Sequence, residues 1–288
     1  MAVSTPYQLT TREDRAQARR QRARRHITIA TASTVVVLGG LAALILTASG
    51  WPSVRRTFFS GHWFNESFGS ILSGFWLDVR LFLIVEVGVL ALALLIALVR
   101  TFRIPALLPL RILATVFVDV MRGTPTILLV YVIGFGIPAL SLKGLPTNEA
   151  VLGGIALGMC YSAYVSEVFR AGLMSVHPSQ AAAALALGLS PTQALRHVIL
   201  PQAVRAVVPP LLNDFIALQK DVALVSILGP QEAFRVAQIH QDLNFNFTPL
   251  LAAAALYLCV TIPMTRFVDH LQWRTVRARG SVLALGPR

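Results

Sequence analysis

The sequence predicts an all-α fold: a polytopic transmembrane helical bundle of about six spans, with a helical loop exposed to the cytoplasm. Three observations predict it. Hydrophobic residues make up 55% of the 288-residue chain and charged residues only 13%, and the apolar residues gather into runs near the ~20 residues that carry a helix across a bilayer. Basic residues are shared unevenly between the segments joining those runs, as cytoplasmic loops require. One stretch, Glu167 to Gly229, is more polar and more interrupted by Gly and Pro than the apolar segments on either side of it.

Residues 1–26 form a basic tail with Arg12, Arg15, Arg19, Arg20, Arg22, Arg24 and Arg25, which supplies much of the net charge of +12. Arginines crowded beside an apolar run are a topology signal rather than a nucleic-acid footprint, and they also suit anionic lipid headgroups. Residues 27–49 form the first span. Its apolar run exceeds the ~7–15 residues of a cleaved signal, so it reads as an uncleaved anchor. Residues 50–75 carry Trp51, Phe58, Phe59, Trp63, Phe64 and Phe68, a density of aromatics that favours the membrane interface. This segment reads as an extracytoplasmic or interfacial linker.

Residues 76–272 hold five further spans: Trp76 to Val99, Ile112 to Leu140, Glu149 to Arg170, Ala206 to Leu228 and Thr248 to Val268. Prolines within them are tolerable because neighbouring helices satisfy the freed carbonyls. Residues 171–205 form the loop, and 273–288 a second basic tail. An inside N-terminus and six spans place both tails in the cytoplasm. The inside segments then hold the seven tail arginines with Arg100, Arg103, Arg111, Arg170, Arg196, Arg205, Arg266, Arg274, Arg277, Arg279 and Arg288. The outside segments hold only Arg55, Arg56, Arg80, Lys143 and Arg235, which is the positive-inside asymmetry. Cys160 and Cys259 each sit alone in an apolar run and read as small core residues rather than a disulfide or metal pair.

The loop has its own punctuation. Pro178 suits the first turn of a helix, where a missing N–H costs nothing. Ser179 to Leu187 is nearly all Ala and Leu, strong helix formers, and Gly188 follows where a left-handed residue ends a helix. Ser190-Pro191-Thr192-Gln193 reads as a capping box that starts a second helix, which runs to Leu200 and stops at Pro201. Ala181, Ala182, Ala183, Ala184 and Ala186 offer little to solvent, so a partner surface is expected to cover them.

Ala182-Ala183-Ala184, Gly188 and Val198-Ile199-Leu200-Pro201 resemble the cytoplasmic loop of importer permeases of the ATP-binding-cassette class, where the pattern is Glu-Ala-Ala, three residues, Gly, nine residues, Ile-x-Leu-Pro. Arg122-Gly123-Thr124-Pro125, Ala163-Tyr164 with Glu167 and Arg170, Leu200-Pro201-Gln202-Ala203 and Lys220-Asp221 resemble the polar-amino-acid subfamily. The resemblance covers residues 75 to 272, with two departures: Ala182 stands at the family's Glu, and Val222-Ala223 at its Thr-Ser. It implies a permease subunit in the plasma (inner) membrane of a prokaryote. It also implies a second permease subunit, the same chain or a homologue, cytoplasmic ATP-binding subunits and an extracytoplasmic solute-binding protein. ATP and Mg would then be bound by the partner ATPase, with no cofactor in this chain. The resemblance assigns coupling to the ATPase to Gln180, Ala182, Ala183, Ala184, Gly188, Leu200 and Pro201.

The chain carries no phosphate-binding Gly-x4-Gly-Lys-Ser/Thr loop, no His-Glu-x-x-His and no Gly-x-Ser-x-Gly, so catalysis of its own is not expected. Ionisable residues within spans are functional candidates by default. Glu86 lies a third of the way into the second span. Asp119 and Arg122 share one helix face, either as an ion pair or at a gate. Glu167 and Arg170 repeat that spacing and read as an anchor for the loop. Lys220 and Asp221 fall mid-span, where a charge must be paired or hydrated, and with Asn213, Asp214 and Gln219 they give that helix a wet face. Glu86, Asp119, Arg122, Tyr164, Glu167, Asn213, Lys220 and Asp221 are the candidates for a translocation path or gate. The alternative, an ion-gradient-driven secondary transporter, would show an inverted repeat of hydrophobic segments, and none is visible.

Overall fold

The computed structural model describes residues 12–102 and 104–283, with side chains placed for 25–102 and 104–273. The arginines expected at 12–24, Arg103 and the arginines of the 273–288 tail therefore lie outside the described side chains. Two compact units emerge, residues 1–57 and 58–288.

In the first unit, α1 (Arg12–Thr47) is long and apolar enough over Arg25–Thr47 to cross a membrane. Its polar side chains turn back on their own helix. Thr34 Oγ1 donates to the Ala30 carbonyl at 2.7 Å and Thr47 Oγ1 to that of Ala43 at 2.7 Å, which is how hydroxyls are accommodated in hydrocarbon. A short helix, α2 (Trp51–Phe58), follows.

The second unit opens with α3 (Gly61–Thr101), about 60 Å long at ~1.5 Å per residue. The expected linker is thus helical over most of its length: α2 takes up its first part, and Gly61 to Phe75 continues without a break or a proline into the second span. Ser67, Ile71, Gly74 and Phe75 on that stretch are buried against the bundle. Ser60 N–H donates to Thr248 Oγ1 at 3.0 Å, fixing where α3 begins.

The third expected span is two helices, α4 (Leu108–Gly123) and α5 (Thr126–Ala139), bent by 108° at the break between them. The cause is local. Thr124 caps α4 through its N–H to the Val120 carbonyl, and Pro125 has no N–H and disfavours helical geometry in the residue before it. Next come α6 (Glu149–Met174), α7 (Pro178–Ala186), α8 (Pro191–Ala194), a π turn (Leu195–Ile199), α9 (Leu200–Asp221) and a 3-10 segment (Val222–Leu228). The chain closes with α10 (Ala233–Asn244) and α11 (Thr248–Leu283).

Among the described residues, four helical stretches are long and apolar enough to cross a membrane, and the bent pair makes a fifth if it is one span. The expected fifth span, Ala206 to Leu228, is missing from that set. Arg205, Asp214, Lys220 and Asp221 make α9 polar, and its continuation, Val222–Leu228, leaves α-helical geometry.

The hub is α6, whose small residues let neighbours approach closely, the packing rule inside membranes. A methyl group on Gly153 would meet Val225 at 2.5 Å, and one on Gly172 would meet Val207 at 1.9 Å. Around α6 the main apolar core gathers Phe82, Val85 and Val89 of α3, Val130 of α5, Leu152, Leu157, Tyr161 and Val165, and Leu218, Val222, Val225 and Leu228. Val222 is fully buried there, so the apolar residue at the family's Thr position serves packing. A second cluster joins Ile71 and Phe75 to Ala233, Ala237, Ala252 and Ala253. Cys160 is buried as expected. Cys259 is exposed, because it lies on the outer face of α11 beside exposed Leu258 and Ile262.

Candidate functional site

The loop follows its local signals closely. The His177 ring accepts from Ser179 N–H at the start of α7. At its end, Leu189 N–H reaches back to the Ala184 carbonyl at 3.2 Å, Gly188 N–H to Leu185 at 2.9 Å, and Gly188 has φ +86°. A left-handed residue flanked by these back-bonds is a glycine stop, which a Cβ would strain. Both halves of the capping box form: Ser190 Oγ accepts from Gln193 N–H and Gln193 Oε1 from Ser190 N–H.

The second helix does not stop at Pro201. It widens into the π turn, where Leu200 N–H reaches Leu195, and continues as α9. Pro201 falls in the first turn of α9, where its missing N–H is harmless. Gln202 Nε2 donates to the Val198 carbonyl at 2.9 Å across the junction.

The small residues divide between two faces. Ala184 and Ala194 are buried, since α7 and α8 pack on each other there, so Ala184 is turned inward rather than toward a partner. Gln180, Ala182, Ala183, Gly188, Leu200 and Pro201 are exposed. Leu185, Leu187 and Leu195 join them, Leu187 at 84% exposure, extending the apolar face well beyond the alanines.

Above the loop, a cavity of about 490 Å³ is lined by Arg122, Tyr164, Glu167, Ser175, Pro210 and Asp214 among others. Arg122 does not pair with Asp119: no ion pair among the described residues joins them, and Asp119 is exposed. The 108° bend instead presents the end of α4 to α6. There the Arg122 guanidinium lies 5.6 Å from the centre of the Tyr164 ring, and Tyr164 Oη donates to the Arg122 carbonyl at 3.4 Å. Glu167 accepts from Arg170 at 2.7 and 3.2 Å and also pairs with Arg100 of α3. The expected anchor is therefore a three-residue clamp spanning α3 and α6.

On α9, Asp221 accepts from Tyr161 Oη at 2.8 Å, while Lys220 and Asn213 are exposed. Asp214 Oδ2 is buried with no hydrogen-bond partner among the described residues, and Glu86 of α3 is half-buried. The structure therefore brings Arg122, Tyr164 and Glu167 together and leaves Asp119 and Asn213 apart from them. Two contributors escaped the sequence reading. Tyr161 sits one helical turn before Tyr164, and its meeting with Asp221 depends on a contact 60 residues away in the chain. Asp214 was legible only as one polar group among several.

Residues 106–277 match the family described as the binding-protein-dependent transport system inner membrane component. The chain belongs to this family of transporter permeases. A probable glutamine ABC transporter permease of Bacillus subtilis is 31% identical over 210 residues, 73% of this permease and 94% of the relative. The L-cystine transport system permease of the same organism is 36% identical over 203 residues, covering 70% of this chain and 80% of that one. Among solved structures, an amino acid ABC transporter crystallised with histidines superposes with a TM-score of 0.64 at 30% identity, covering 72% of the permease and 94% of that chain. A methionine ABC transporter in an inward-facing conformation shares the fold with a TM-score of 0.52. The permease is a multi-pass membrane protein of the ATP-binding-cassette class, and the ion-gradient alternative finds no relative among these.

Proposed function

We propose that this permease forms the membrane path of an ATP-driven importer for polar amino acids or similar small polar solutes. In this reading the α7–α8 loop seats on a cytoplasmic ATP-binding subunit, which binds ATP and Mg. A second permease copy or homologue completes the path, and an extracytoplasmic solute-binding protein delivers the solute. The single observation that carries the reading is the exposed apolar face of a rigidly capped loop, continuous through the π turn with α9. A displacement at Gly188 is then a displacement of the helix that bears Asp214, Lys220 and Asp221. The named relatives, permeases for glutamine and L-cystine, support amino acids as the solute class. Ala182 brings no charge to the joint, so its fit rests on shape and on Gln180, Gln193 and Arg196.

The test is Gly188→Leu, which adds bulk at the seam and a Cβ at φ +86°, costing on the order of 1 kcal/mol. No atom lies within 4 Å of the added Cβ, so the bundle is untouched and the variant inserts normally. Uptake in reconstituted vesicles should fall sharply, and ATP hydrolysis should cease to respond to the solute-binding protein. Normal, fully coupled transport by the variant would overturn the assignment.

A further inference from the structure

Far from the loop, two carboxyl groups are buried together without a cation. Asp78 of α3 is 2% exposed and Glu232, at the start of α10, 1% exposed. Asp78 lies 22 residues along α3 from Arg100, about 33 Å at ~1.5 Å per residue, and so belongs to the opposite end of the bundle from the clamp at Glu167.

The hydrogen bonds around the pair are short of one proton. Glu232 caps α10: its two oxygens accept from Phe234 N–H at 2.8 Å and Arg235 N–H at 2.6 Å. Asp78 Oδ2 accepts from Ala233 N–H at 3.3 Å. Tyr257 Oη of α11 stands 2.8 Å from Asp78 Oδ2 and 3.3 Å from Glu232 Oε2. A phenol has one hydrogen to give, so it donates to the nearer carboxylate and leaves its contact with Glu232 without a donor. Asp78 Oδ1 is buried with no hydrogen-bond partner among the described residues, and the one phenol oxygen of Tyr257, within reach of both carboxyls, marks how close together they lie.

The surrounding charges do not neutralise the pair. On α3, Arg80 stacks over Trp76, and Glu86 is two turns further along. On α10, Arg235 donates to Gln238, His240 bonds Ser70, and Asp242 is nearly three turns away. On α11 the next charged groups are Arg266 and Asp269, paired with each other. The 3-10 segment that also packs on α10 carries no charge over Val222–Leu228. The close approach is built in: a Cβ on Gly74 would lie 2.8 Å from backbone atoms of Glu232 and Ala233.

We propose that Glu232 is a proton-binding site, that the bound proton is donated to Asp78, and that its presence holds α10 seated on α3 and α11. Two ionised carboxylates this close, desolvated and with no cation between them, repel, and Asp78 Oδ1 lacks a donor. One proton removes the repulsion and supplies the missing hydrogen bond. Burial, and then the charge of Asp78, push Glu232 up to about 8, so the protonated form is the one present at neutral pH. A carboxyl raised on folding contributes stability that is complete at low pH and is lost as pH rises through its folded value. Alkaline conditions at that end of the bundle would therefore loosen α10.

Infrared spectra and thermal unfolding of the purified protein in mild detergent test this. At neutral pH the wild type should show a protonated-carboxyl C=O band that Glu232→Gln lacks. Its melting temperature should fall between about pH 5 and pH 8, as pH rises from the ordinary Glu value of 4.5 through the raised value of about 8. Glu232→Gln keeps one capping oxygen, for Arg235 N–H, gives up the acceptor for Phe234 N–H and supplies a permanent N–H donor in its place; its melting temperature is lower but should be nearly flat over that range. Asp78→Asn, which abolishes the like-charge repulsion, should also flatten the profile. Loss of the fold by one variant leaves the other, and the wild-type band, to decide. A wild-type spectrum without the band, or a pH slope unchanged in both variants, would overturn the proposal.

Discussion

Gly172 on α6 and Tyr161 three turns before it show how narrowly single side chains set this bundle. A methyl group at position 172 would meet Val207 Cγ2 at 1.9 Å and the Ala203 carbonyl at 3.3 Å. Gly172→Ala must push α9 away from α6, and overpacking of this kind costs ~1–3 kcal/mol. Gly88→Ala adds the same methyl where nothing lies within 4 Å, so thermal unfolding in detergent should show a clear loss for the first variant and none for the second. Equal effects would mean that α6 and α9 do not pack as described. Tyr161→Phe keeps the ring in the core and deletes the O–H donated to Asp221. A half-buried carboxylate short of a donor costs ~1–3 kcal/mol, and we expect uptake to fall while the protein stays in the membrane. Unchanged uptake would remove the pair from the path. The sequence showed Tyr164, Glu167 and Lys220-Asp221 through motif and mid-span charge. It could not show Tyr161, Asp78 or Tyr257, because each acquires its role only from a partner far away in the chain.

Among the elements, the local signals read best where they act locally. The Pro178 start, the Gly188 stop and the Ser190 capping box all formed, since each is settled within a few residues. Pro125 and Pro201 were harder, because a proline in an apolar run permits a kink, a break or a fresh first turn, and neighbouring helices choose among them. At Pro125 the choice is a 108° bend, and Arg122 with Tyr164 ties the bent end to α6. A cation over an aromatic face contributes ~0.5–2 kcal/mol, whereas the Tyr164 Oη contact at 3.4 Å is long for an O–H donor. The ring should therefore matter more than the hydroxyl. Tyr164→Phe should retain most uptake and Tyr164→Ala lose most of it, measured in the same reconstituted vesicles. The hydroxyl deletion proving as damaging as loss of the whole ring would make the hydrogen bond, not the stack, the tie.

At the scale of the whole molecule, the number of crossings decides on which side the two ends lie, and its parity rests on the two least regular elements. The stretches Arg25–Thr47, α3, α6 and Thr248–Trp273 qualify as spans outright, the bent α4–α5 pair qualifies only as a unit, and α9 does not qualify. If both irregular elements cross, six spans put both ends on one side; if only one crosses, the ends are opposed. The charge distribution favours six, because the tail arginines and those of residues 273–288 then share a side with Arg196 and Arg205 of the loop. A polar α9 is compatible with crossing when it is shielded by other helices, and here Ile216, Leu218 and Gln219 are buried, with Asp221 bonded to Tyr161. We therefore expect reporters active on only one side of the membrane, fused at residue 10 and at residue 285, both to report the cytoplasm. A third fusion at residue 188 should report the cytoplasm as well, as seating on an ATP-binding subunit demands. If residue 285 reports from outside while 10 and 188 report from inside, α9 with its 3-10 extension fails to return the chain across the bilayer. Its charges would then lie in a re-entrant segment rather than along a membrane-spanning path.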